Sequence, residues 1–238
     1  MSQPHNGILP FVTTKCGLRT MGKERSMVTK IQLNTSDSVV FIGDSITDAE
    51  RHRRAYEPLG FGYVHFVGHL LLARYPQLNL ELINRGISGN TIADMAERWQ
   101  NDCLSHQPAL LSVLIGINDV WRSVMEPERK TSSPERYEIT YDRLLLEARQ
   151  RCHCQVVILE PFLFNDDRQS TVRQALEPYL ARVHWLAERH GATLIPLQQK
   201  LDEQMAQVPP QRWSSDTVHP ELWAHAWIAQ QWLTATGL

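Results

Sequence analysis

The chain lacks long apolar runs, an excess of charge of either sign, and a dense set of cysteines. No stretch approaches the ~20 apolar residues of a membrane span. The run Ile8-Leu9-Pro10-Phe11-Val12 is too short for the apolar region of a signal peptide, so a cytoplasmic protein is expected. The formal net charge is −2, which gives no electrostatic attraction to nucleic acid or to an anionic membrane surface. The four cysteines fall at 16, 103, 152 and 154. Cys152-His153-Cys154 is the one tight pair, and its single intervening residue suits neither a redox CxxC nor a structural zinc site; reduced thiols are expected. There is no P-loop and no G-x-G-x-x-G run, which disfavours a nucleotide-binding role.

What is present is an ordinary globular composition over 238 residues, 42% hydrophobic and 21% charged, enough for one α/β domain with a substantial core. Residues 1–36 show no sustained periodicity and are expected to form a partly disordered N-terminal extension, with the folded domain at 37–238. Beyond it, short apolar runs alternate with longer amphipathic ones. Strands are expected at 39–42, 78–84, 110–115, 155–159 and 192–195, most of them ending at glycine or proline. Helical spacing covers 63–75, 91–104, 134–151, 172–186, and a last helix opening at Pro220. Alternation of this kind predicts right-handed crossovers and a five-stranded parallel sheet covered on both faces, a three-layer α/β/α domain.

Four polar stations sit at the ends of these elements: Gly43-Asp44-Ser45, Gly86-Ile87-Ser88-Gly89-Asn90, Gly116-Ile117-Asn118-Asp119 and Asp216-Thr217-Val218-His219. In open parallel sheets the ligand site lies beyond the carboxyl ends of the strands, where such loops meet. A serine hydroxyl is a poor nucleophile unaided, and His219 is the candidate base, with Asp216 three residues earlier to fix its tautomer. Tetrahedral oxyanions need preorganised donors, and the Ser45 N–H, the Gly89 N–H and the Asn118 amide are the candidates. Together these parts point to acyl transfer through a serine ester. Gly43-Asp44-Ser45-Ile46-Thr47 is not the G-x-S-x-G elbow of α/β-hydrolases.

Each string alone has a plainer reading. Gly43-Asp44-Ser45 can be a polar turn, Asp216 a helix cap, Gly89 a flexible turn, and Asn118 a loop cap with Asp119 holding that loop. Asp44, Trp121 and Arg122 are candidate substrate contacts, with Trp121 either a platform or packed, and Arg122 either in the cleft or solvated. Trp223, Trp227 and Trp232 read as packing. The other histidines have no partner at catalytic spacing.

The four stations resemble the SGNH (GDSL) hydrolase superfamily, whose Ser, Gly, Asn and His match Ser45, Gly89, Asn118 and His219. Longer stretches, Phe41 to Asp48, Asn84 to Thr91, Ile115 to Arg122 and Gly60-Phe61-Gly62-Tyr63-Val64, are similar to bacterial acetylxylan esterases that deacetylate xylo-oligosaccharides. The resemblance implies a flavodoxin-like sandwich, metal-free and cofactor-free ester hydrolysis, and a Ser45–His219–Asp216 catalytic set. Its substrate would be a small acyl ester, an acetylated sugar above all, with homo-oligomerisation left open. Those esterases often place an aromatic residue just before the Asp of D-x-x-H; here it is Ser215, with Trp213 as a nearby substitute. A lysophospholipase or thioesterase with the same mechanism, and a non-catalytic carbohydrate-binding domain on the same scaffold, are the alternatives.

Overall fold

The computed structural model describes residues 31–129 and 131–238. The first thirty positions of the expected N-terminal extension, with Cys16, therefore lie outside the described residues. Ile31 is buried against the core and Gln32 exchanges two hydrogen bonds with the Gln155 side chain, so packing begins ahead of the boundary expected at 37.

In chain order the elements are β1 (Ser38–Gly43), α1 (Ser45–Asp48), α2 (Tyr63–Arg74), β2 (Glu81–Gly86), α3 (Ile92–Glu97), α4 (Trp99–Asp102), β3 (Leu110–Leu114), α5 (Ile117–Met125), α6 (Pro134–Cys152), β4 (Gln155–Leu159), α7 (Thr171–His190), β5 (Thr193–Ile195), α8 (Leu197–Met205), α9 (Pro210–Trp213) and α10 (Leu222–Thr236). The five strands form one parallel sheet in the order β2-β1-β3-β4-β5, the flavodoxin-like order. Helices α2 and α10 pack on each other, and α3, α5, α6 and α7 form the other packed set, giving the expected three layers. No described helix is long and apolar enough to cross a membrane.

The β-branched run Val39-Val40-Phe41-Ile42 is wholly buried, as a central strand covered on both faces must be. Phe41 meets Trp232 of α10, whose indole N–H donates to Ser112 Oγ at 3.0 Å, so a buried polar pair is satisfied within the core. Fully burying one such aliphatic side chain contributes roughly 1.5–3 kcal/mol, and the sheet buries them strand after strand. Cys103, Cys152 and Cys154 are free, and burial pushes the Cys154 thiol up to about 12.

Register explains why distant motifs meet. Gly43 at the end of β1 pairs with Gly86 of β2 on one side and Leu114 of β3 on the other. The three loops carrying Ser45, Gly89 and Asn118 thus leave adjacent strands at one height. A Cβ on Gly86 would lie 2.1 Å from the Asp48 backbone N, so only glycine lets α1 lie directly on the end of β2.

Three sequence-based boundaries are corrected. The helix expected over 91–104 breaks at Arg98, which separates α3 from α4, and a 3₁₀ turn follows at Leu104–His106. The strand expected over 78–84 runs instead from Glu81 to Gly86, because Pro76–Leu78 form a 3₁₀ turn and Asn79 is left-handed at φ 46. Pro220 does not open the last helix. The Glu221 N–H is drawn to the Trp213 carbonyl, and α10 starts at Leu222.

Candidate active site

Asp44 closes the turn after β1. Its carboxylate accepts the Ile46 N–H at 3.1 Å and caps the single turn of α1, which presents Ser45 as its first residue. The Ser45 hydroxyl lies 2.9 Å from His219 Nε2. On the far side of that ring, His219 Nδ1 lies 2.6 Å from Asp216 Oδ2. A hydroxyl, an imidazole and a carboxylate from the two ends of the chain thus form one continuous hydrogen-bonded line.

The short loop that delivers His219 is held by the other oxygen of the same carboxylate. Asp216 Oδ1 accepts the Val218 N–H at 2.9 Å, the His219 N–H at 2.8 Å and the Ser214 hydroxyl at 3.0 Å. Thr217 takes the left-handed conformation, φ 70, that turns the chain back on itself, and its carbonyl accepts the Phe164 N–H. Partial burial raises the Asp216 carboxyl, but the bonds from the His219 ring, the His219 N–H and the Val218 N–H outweigh it and hold the group down at about 2. It is ionised throughout the neutral range and oriented to stabilise a charge on the ring.

Gly89 adopts φ 80, and its carbonyl accepts Arg122 Nη2 at 2.6 Å. The loop before it is tied to α1, since Asp48 Oδ2 accepts both the Ser88 N–H and the Ser88 hydroxyl. Asn118, in the first turn of α5, donates its amide to the Asn90 carbonyl at 3.1 Å. No described residue accepts a hydrogen bond from the Ser45 or Gly89 N–H. Asp119 reaches another segment, its buried carboxyl group accepting the Ile92 N–H at the start of α3.

The tentative substrate contacts fare differently. Asp44 is wholly buried and caps α1 from beneath, so it does not line the surface of the site. Trp121 is half-buried and packs against the core. Arg122 is neither solvated nor free, being drawn to Gly89 and lying 3.9 Å from Asp94. Trp213 is buried and cannot offer a surface aromatic face; Trp223, read as packing, is 43% exposed, tilted against Trp213 with ring centroids 4.3 Å apart and its N–H on the Arg212 carbonyl.

Burial raises the Asp44 carboxyl to about 7, against lowering by the Ile46 N–H and by the His219 and Arg98 charges. Burial raises Asp119 to about 7 as well, with the charge of Asp44 adding to it and the N–H groups of Ile92 and Ser132 opposing it. Between about pH 4 and 7 the native chain therefore binds more protons at these two groups than the unfolded chain does. Stability at these sites is full below the ordinary aspartate value and is lost as pH rises toward 7. Burial lowers His225 to about 4, and this acts in the opposite sense over part of the window. Asp44→Asn deletes one of the two descending contributions while keeping the capping oxygen. Urea unfolding at pH 4 and pH 7 should show the variant gaining on the parent as pH rises; parallel profiles would refute a raised carboxyl at residue 44.

Residues 41–227 match the model of the GDSL-like lipase/acylhydrolase family. The chain is 33% identical over 213 residues to an acetylxylan esterase of Geobacillus stearothermophilus, covering 87% of this chain and 97% of that one. The solved structure of an acetylxylan esterase from that organism superposes with a TM-score of 0.81 at 33% identity, over 87% of this chain and 96% of the other. An α/β hydrolase from the metagenome of Lake Arreo, Spain, gives a TM-score of 0.81 at 34% identity, over 87% and 98%. The Geobacillus esterase is also known as catalytic mutants of a serine, an aspartate and a histidine, the last two lying three positions apart. The chain belongs to the GDSL-like lipase/acylhydrolase family and is a carboxylic ester hydrolase.

Proposed function

We propose that this enzyme removes acetyl groups from short acetylated carbohydrates of the xylo-oligosaccharide type, through an acyl-serine intermediate and in the cytoplasm. The observation that carries the reading is the unbroken line Ser45–His219–Asp216. With an ester carbonyl over Ser45, His219 Nε2 accepts the hydroxyl proton as Oγ bonds to the carbonyl carbon. The negative oxygen is received by the Ser45 and Gly89 N–H groups and by one N–H of the Asn118 amide, the other N–H staying on the Asn90 carbonyl. The imidazolium returns its proton to the departing sugar oxygen as the C–O bond breaks. Water then attacks the acyl-serine, His219 takes its proton and returns it to Ser45 Oγ, and acetate leaves.

Support for a sugar substrate comes from the Geobacillus relative, named for acetylxylan, and from Trp223. That indole, four positions after His219 in the sequence, is braced by Trp213 and Arg212 and is 43% exposed, which suits stacking on a pyranose ring. The test is an acyl-chain series. Catalytic efficiency on p-nitrophenyl acetate should exceed that on the octanoate by at least ~10-fold, since each added methylene needs an apolar surface to reward it. Acetylated xylo-oligosaccharides should be turned over as well. A steep preference for octanoate would favour the lysophospholipase or thioesterase alternative. Failure of a fluorophosphonate to modify Ser45 would favour a non-catalytic binding domain.

A further inference from the structure

We infer that Arg98 is a positioning residue of this site, a clasp that ties the end of the strand leading to the nucleophile to the loop carrying Gly89. Its side chain is mostly buried, and one guanidinium reaches four acceptors. Nε donates to Asn90 Oδ1 at 2.7 Å, Nη1 to the Arg85 carbonyl at 2.7 Å and to Asp102 Oδ2 at 2.8 Å, and Nη2 to the Gly43 carbonyl at 2.9 Å. Gly43 ends β1 two residues before Ser45, and Arg85 lies at the end of β2. Asn90 follows Gly89 directly and holds the Asn118 amide on its own carbonyl. Three of the four acceptors, on Gly43, Arg85 and Asn90, thus belong to the segments that place the nucleophile and the oxyanion donors.

The residue type fits this task. Arginine carries five N–H donors in a rigid planar fork and stays charged, whereas lysine offers a point charge on a flexible stem and cannot span separate acceptors in one plane. Asp102 balances the charge. The break between α3 and α4 falls on Arg98 itself, so the turn that ends one helix sends this side chain back to the strand ends. Oxyanion donors act only when held close to the position the charge will take, and a displacement near 1 Å costs about 10²-fold. Arg98 touches no reacting atom; it acts through Asn90 and the strand ends.

This assignment rests on the acyl-serine reading, and the experiment separates the two. Arg98→Lys, Asn90→Ala and Ser45→Ala are compared with the parent for kcat and KM on p-nitrophenyl acetate, melting temperature, and inhibition by phenylboronic acid, whose tetrahedral adduct places an oxygen where the oxyanion forms. Asn90→Ala cuts only the tie to the loop and leaves the bonds of Arg98 to Gly43, Arg85 and Asp102 in place. Arg98→Lys and Asn90→Ala should each lower kcat by ~10- to 10²-fold with KM within ~3-fold, and boronate affinity should weaken by a similar factor at near-parent melting temperature. An Asn90→Ala variant with kcat and boronate affinity within ~3-fold of the parent overturns the clasp, whatever Arg98→Lys does, because Arg98 would then merely support the strands. If Ser45→Ala keeps its turnover, the acyl-serine reading itself fails; if only Ser45→Ala loses activity, the clasp alone fails.

Discussion

Replacing Ser45 with alanine is expected to lower ester turnover by at least ~10³-fold while leaving the protein folded. The hydroxyl makes one hydrogen bond to the protein, to His219 Nε2, and the cap of α1 comes from Asp44 rather than from Ser45. Nothing in the core depends on the oxygen removed. Stability should therefore change by less than about 1 kcal/mol, which shifts the melting temperature by no more than about 4 °C in a protein of this size. Remaining turnover would come from the oxyanion donors acting on a bound ester attacked by water. The check is kcat on p-nitrophenyl acetate together with a thermal melt. A variant that melts like the parent and keeps a tenth of its turnover would remove Ser45 from the chemistry and take the acyl-serine pathway with it.

The sheet was legible because its strands are written in residues that fit only one environment. Val39-Val40-Phe41-Ile42 and Gln155-Val156-Val157-Ile158-Leu159 have no polar face to turn toward water, so burial on both sides and a parallel arrangement follow. The Gly43, Gly86 and Gly116 punctuation then places three polar stations past the strand ends. What sequence could not supply was contact across the fold. Arg98 looks like any solvated residue on an amphipathic helix; its role appears only once Gly43, Arg85 and Asn90 are seen converging on it. Arg122 presents the same problem, since its acceptor is a carbonyl 33 positions away. His184 and His190 had no local partner, yet they bond to Glu160 and Asp142 from other elements. Asp44 reads as a substrate contact in the sequence because a turn aspartate beside a reactive serine can face either way. Only the capping bond to Ile46 and its complete burial decide between the two. The clue in the sequence is Asp44 itself, an N-cap residue type placed directly before Ser45-Ile46.

Removing His219 should cost about as much as removing Ser45, and removing both should cost hardly more than either. The reason is geometric: the imidazole is useful only while it bridges the hydroxyl at 2.9 Å and the carboxylate at 2.6 Å. Without His219 the serine keeps its proton; without Ser45 the base has nothing to activate but water. His219→Ala is therefore expected to lower kcat by ~10³-fold, and Ser45→Ala/His219→Ala to fall within ~3-fold of the slower single variant. Asp216→Asn should cost less than His219→Ala, because the asparagine side-chain oxygen can still accept the Val218 and His219 N–H groups that hold the loop, and the ring itself remains. Since Asp216 is held at about 2, the unfolded chain binds the extra proton as pH drops below about 4. The stability its ionised form contributes is then lost toward pH 2, and Asp216→Asn should flatten that acid limb of the unfolding profile. A double variant more than ~10-fold slower than either single variant would mean that Ser45 and His219 contribute independently, which a single proton relay does not allow.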